Sequence, residues 1–105
     1  MSWSSPDTVA LVSAFQHTRS YEATRRLLSD LLTENEITLL SKRFHAADML
    51  NESIPYALIS RETGLSSATV AKIAKKLRGA EGGYLVALER IAPLPPHRRG
   101  IDRRY

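Results

Sequence analysis

The chain has 105 residues, 43% of them hydrophobic and 25% charged, with no cysteine and a net charge of +4. That length suits one small domain, and its lack of cysteine excludes disulfides and a cysteine-ligated metal. No apolar run approaches the roughly 20 residues that span a bilayer. Residues 1–6 lack the basic start and apolar core of a signal peptide, so no membrane partner and a cytoplasmic location are expected.

The charge is unevenly placed. Residues 1–53 carry −2, residues 54–80 carry +4, and residues 93–105 carry +3. Two basic clusters, one in a helical stretch and one in a tail, suit either a polyanionic partner or a solvated basic face.

Proline and glycine fall only at the ends of long uninterrupted stretches, and no stretch alternates with the period of a strand. The expected fold class is therefore all-α. A first helix should start at Ser5, which can cap it, with Pro6 preset for the first turn and Asp7 at the positive end of the dipole. Leu11, Val12 and Phe15 form its apolar stripe. After a break near Ser20, a second helix carries Tyr21, Thr24, Leu27, Leu28 and Leu31. Thr33 and Glu36 then fit a capping box. The third helix shows Ile37, Leu40, Phe44, Ala47 and Leu50 at 3.6-residue spacing and should end near residues 51–53.

Residues 54–78 read as a helix-turn-helix. Pro55 can open a helix bearing Leu58 and Ile59. Thr63-Gly64 ends it, since glycine permits the left-handed backbone of a sharp turn. Leu65 can plug the turn. Ser66 or Ser67 caps a second helix with Val70, Ala74 and Leu77 inward. Its other face shows Ser67, Thr69, Lys72, Lys75 and Lys76. Small polar residues at the start let a helix approach base edges, while lysines farther along reach phosphates. Ser60, Ser66, Ser67, Ala68, Thr69, Lys72, Lys75 and Lys76 are the candidate DNA contacts. After Gly79, Gly82 and Gly83, a short helix is expected over residues 84–91, with Tyr84, Leu85 and Leu88 apolar. The three prolines and four arginines from residue 92 onward cannot build a core, so a helical domain over 1–91 and a flexible basic tail over 92–105 are expected. Arg98, Arg99, Arg103 and Arg104 can contact DNA, remain solvated or bind a partner protein.

Residues 31–36 (Leu-Leu-Thr-Glu-Asn-Glu), the pair Lys42-Arg43, residues 59–64 (Ile-Ser-Arg-Glu-Thr-Gly) and Ala68-Thr69-Val70 resemble the Trp repressor-like family. The Gly-Gly-Tyr at 82–84 is similar to its branch without a known ligand. The resemblance covers about half the chain. It implies an intertwined homodimer that presents two recognition helices to major grooves about 34 Å apart. Of the family's co-repressor pocket, Thr33 and Arg43 match. Lys72 replaces a planar arginine, and Ile73 replaces a glycine that leaves room for an indole. The resemblance thus implies an occluded pocket and no tryptophan co-repressor.

Other chemistry finds little support. His45 and Asp48 share a helix face but suit a surface pair better than a metal site. No nucleophile motif or phosphate-binding glycine loop is present, so neither an enzyme nor a cofactor is expected. Trp3, Phe15, Tyr21 and Phe44 read as core or dimer packing. A repressor is the leading expectation, because no activation segment is visible. A helical interaction module and an RNA binder remain the alternatives.

Overall fold

The computed structural model describes residues 1–91. Among these residues it has six α-helices and no strand. Two compact units divide the chain, Met1–Ile37 and a second beginning at Thr38.

The first unit contains α1 (Pro6–His17), α2 (Tyr21–Leu31) and the opening turn of α3 (Glu34–Asn51). Local chemistry starts each helix. Ser5 Oγ accepts the Thr8 amide ahead of α1, at 3.4 Å, and Ser20 Oγ accepts the Ala23 amide at 3.0 Å ahead of α2. The capping box of α3 is reciprocal: the Thr33 amide donates to Glu36 Oε1 at 2.8 Å, and the Glu36 amide donates to Thr33 Oγ1 at 3.1 Å. On α2, Glu22 pairs with Arg25 and lies 3.7 Å from Arg26 Nε. The hydrogen bond to Glu22 raises the Arg25 guanidinium above its ordinary pKa.

No residue of this first unit is buried. Trp3, Phe15 and Tyr21, expected as core or dimer packing, are all exposed, Tyr21 at 83%. The helical stripes are present, but nothing within this unit covers them. Leu40, part of the 3.6-residue apolar pattern of α3, is likewise exposed.

The core belongs to the second unit. Ala46, Ala47 and Met49 of α3 cluster with Ile59 of α4 (Tyr56–Thr63) and with Val70, Ile73 and Leu77 of α5 (Ser67–Leu77). Leu50, Ile54, Leu65, Tyr84 and Leu88 pack against that cluster. The last two come from α6 (Gly83–Arg90); of its three apolar residues named above, Tyr84 and Leu88 pack inward and Leu85 is exposed. Phe44 reaches Tyr84 with ring centroids 6.3 Å apart, in a tilted arrangement that suits ring quadrupoles.

Helix α3 stops by a backbone device that its sequence hides. The Ile54 amide donates to the Met49 carbonyl at 3.1 Å and the Ser53 amide to the Leu50 carbonyl at 3.0 Å. This is a Schellman ending, and Ser53 adopts the required left-handed conformation at φ 62°.

Candidate nucleic-acid interface

The helix-turn-helix forms where expected. Pro55 has an extended backbone and precedes α4. At the other end Gly64 turns left-handed at φ 77°, and its amide donates to the Ser60 carbonyl at 2.8 Å. Buried Thr63 braces the turn from inside: its hydroxyl donates to the Ile59 carbonyl at 2.7 Å and accepts the Leu65 amide at 3.2 Å. Leu65 then packs on the core as a plug.

Ser66, rather than Ser67, is the cap of α5. Its Oγ accepts the Thr69 amide at 3.1 Å and donates to Thr69 Oγ1 at 3.0 Å. The inward face of α5 holds Val70, Ala74 and Leu77 as expected, and also Ile73. Positions 70, 73, 74 and 77 lie on one side of a 3.6-residue helix, so their burial follows from geometry. Ser66, Ser67, Ala68, Lys72, Lys75 and Lys76 are exposed, and Thr69 is half-buried. This gives α5 a sealed apolar side and an open side that is polar at its start and cationic later.

Ser60 stands apart from the other candidate contacts. Its Oγ is buried and finds no hydrogen-bond partner among the described residues, so this hydroxyl does not face a ligand from outside. The three residues matched to a co-repressor pocket have separate local roles. Thr33 is engaged in the capping box of the first unit. In the second unit, Arg43 is exposed, and Ile73 is only 4% exposed within the core. Arg98, Arg99, Arg103 and Arg104 lie outside the described residues.

Two features were missed in the sequence. One is a cavity of about 790 Å³ with Phe44, Tyr84 and Ala87 among its walls and Lys72, Lys75 and Lys76 at its lining. The other is the position of Lys42, whose ammonium lies beside the Gly64 turn. Both need tertiary contacts that no local pattern encodes. No group of three or more His, Asp or Glu suited to a metal occurs among the described residues, and none of the described helices is long and apolar enough to cross a membrane. His45 and Asp48 both have interaction partners, and Asp48 is buried rather than on the surface.

A bihelical unit with a left-handed glycine turn, a plugging leucine and a capped second helix defines a helix-turn-helix protein. The family model described as Trp repressor protein matches residues 7–92. The chain belongs to the Trp repressor family. It is 37% identical over 73 residues to the uncharacterised protein YerC of Bacillus subtilis (strain 168), covering 70% of each chain. The crystal structure of a TrpR-like protein from Eubacterium eligens ATCC 27750 superposes with a TM-score of 0.78 at 31% identity, covering 89% of this chain and 96% of that one. This helix-turn-helix membership is the coarse functional class, and it is a class of regulators rather than enzymes.

Proposed function

We propose that this chain is a sequence-specific transcription regulator, a repressor that binds duplex DNA as a homodimer through α4 and α5 in the cytoplasm. The observation that carries the reading is the open face of α5. Ser67 and Ala68 are small and exposed, which leaves room to approach base edges, and the exposed Lys72, Lys75 and Lys76 can reach phosphates that flank a groove. Val70, Ile73, Ala74 and Leu77 anchor the opposite side.

Homodimerisation is supported by the bare first unit. Leu11, Val12 and Phe15 repeat at helical spacing on α1 and all three are exposed, an arrangement that a second chain can cover.

The same reading dispenses with tryptophan. Ile73 belongs to the core and leaves no glycine-sized gap beneath an indole ring. Isothermal calorimetry is expected to show no tryptophan binding at micromolar affinity.

Selection from a random duplex library, followed by gel shift, tests the proposal. An enriched palindrome is expected. Thr69→Ala with Lys72→Ala should then weaken binding by about tenfold or more, equivalent to about 1.4 kcal/mol. An unchanged shift after both substitutions removes the recognition-helix assignment, and a preference for structured RNA removes the duplex partner.

A further inference from the structure

We infer that Lys42, on α3, is a phosphate-anchoring residue that fixes the start of the reading helix on duplex DNA. The inference rests on the DNA-binding reading above and adds a residue from outside the helix-turn-helix.

The charge pattern poses the problem. Residues 63–71 span the turn and the first half of α5 without a single charged side chain. All three lysines of α5 lie at positions 72, 75 and 76, in its second half. An 11-residue helix is about 16 Å long, comparable to the width of a major groove at about 12 Å. A reading helix tethered only at its far end can pivot, because phosphate contacts are what set orientation on the duplex. The near end needs a cation from another element.

The fold supplies one. A Cβ placed on Gly64 would lie 4.0 Å from Lys42 Nζ, so the ammonium is held over the turn that leads into Ser66 and α5. Lys42 is exposed. It takes no part in the Glu22 ion pairs of Arg25 and Arg26. No described residue accepts a hydrogen bond from it either, so its position is not explained by a carbonyl that it caps. An unpaired ammonium at the mouth of the turn suits a phosphate oxygen, and Lys42 with Lys75 and Lys76 then brackets the reading helix at both ends. Glycine at 64 contributes by leaving the space beside the ammonium open.

The test compares Lys42→Gln and Lys42→Arg with the unaltered full chain on a selected duplex. Affinity is measured across a salt series and stability by thermal melting. For Lys42→Gln the expected result is a salt slope shallower by about 0.9 per bound chain, with affinity lowered similarly on all sequences. The melting temperature should be unchanged, and Lys42→Arg should restore the slope. An unchanged slope for Lys42→Gln overturns the inference. So does an affinity loss that only tracks a lowered melting temperature, which would make Lys42 a structural support of the turn. If the unaltered chain binds duplex DNA and only the slope prediction fails, the DNA-binding reading stands without Lys42. If the unaltered chain binds no duplex, both fall.

Discussion

The Ser66 hydroxyl accepts the Thr69 amide at 3.1 Å and donates to the Thr69 hydroxyl at 3.0 Å, which ties the cap of α5 to a proposed base-reading residue. Two variants separate stability from recognition at this point. Ser66→Ala removes the cap and should cost about 1 kcal/mol in thermal unfolding. Ser66→Asp keeps an acceptor at the cap and suits the helix dipole, so stability should hold. The added carboxylate would face phosphates, and duplex affinity should fall by about tenfold or more in a gel shift. Equal affinity for Ser66→Asp and the unaltered chain would place this helix start away from DNA.

Ser53 and Gly64, both left-handed, should respond in opposite directions. Ser53 holds φ 62° with a side chain, so Ser53→Gly relieves a strain of about 1 kcal/mol, less the extra entropy glycine gives the unfolded chain. A small rise in melting temperature is expected. A Cβ built on Gly64, at φ 77°, would meet no described atom closer than Lys42 Nζ at 4.0 Å, its chain neighbours aside. Gly64→Ala therefore tests conformation rather than crowding, and it should destabilise by about 1–2 kcal/mol. A neutral Gly64→Ala would show that the turn relaxes to another backbone form.

Ile73 offers a prediction that separates a core residue from a ligand-pocket filler. Ile73→Val removes one methylene from a well-packed site and should cost about 0.5–1.5 kcal/mol. Ile73→Gly deletes the side chain and adds a flexible residue in mid-helix, so its cost should be several kcal/mol, near the whole stability of so small a core. Denaturant unfolding measures both. If Ile73→Gly stays fully folded and gains tryptophan binding, Ile73 is a plug in a retained pocket rather than part of the core.

Much of this was legible in the residues, and the exceptions have physical causes. Ser5, Ser20, the Thr33–Glu36 box and Gly64 act within four residues of themselves, so their spacing alone placed the helix ends. The burial of Ile73 also follows from the 3.6-residue period, but the glycine at that position in the resembling family drew attention to a ligand instead. Apolar spacing showed that Leu11, Val12, Phe15 and Leu40 share helix faces, yet periodicity carries no information about what covers a face. Ser53 gave no signal, because serine rarely adopts the left-handed turn that Schellman hydrogen bonds impose here. In the sequence Lys42 is half of a basic pair with Arg43. Its place beside Gly64 depends on how α3 and α4 pack, 22 residues apart in sequence.

The bare apolar stripe on α1 leads to a prediction about assembly. Residues 1–37 include no buried side chain, and conformational entropy opposes holding two helices in order without burial to offset it. A second copy would provide that burial, and stability would then depend on protein concentration. The melting temperature should therefore rise across a hundredfold increase in concentration, and sedimentation should report two chains at micromolar protein. Phe15→Asp places a charge on the stripe, on the same face as Leu11 and Val12. Burying that charge without a partner is strongly unfavourable, so the variant should sediment as a monomer and lose most of its duplex affinity. The second unit, whose core lies in α3, α4, α5 and the packing residues of α6, should keep its helical signal more than the first. A melting temperature independent of concentration, together with one-chain sedimentation of the unaltered protein, would remove the homodimer and leave the first unit to a different partner.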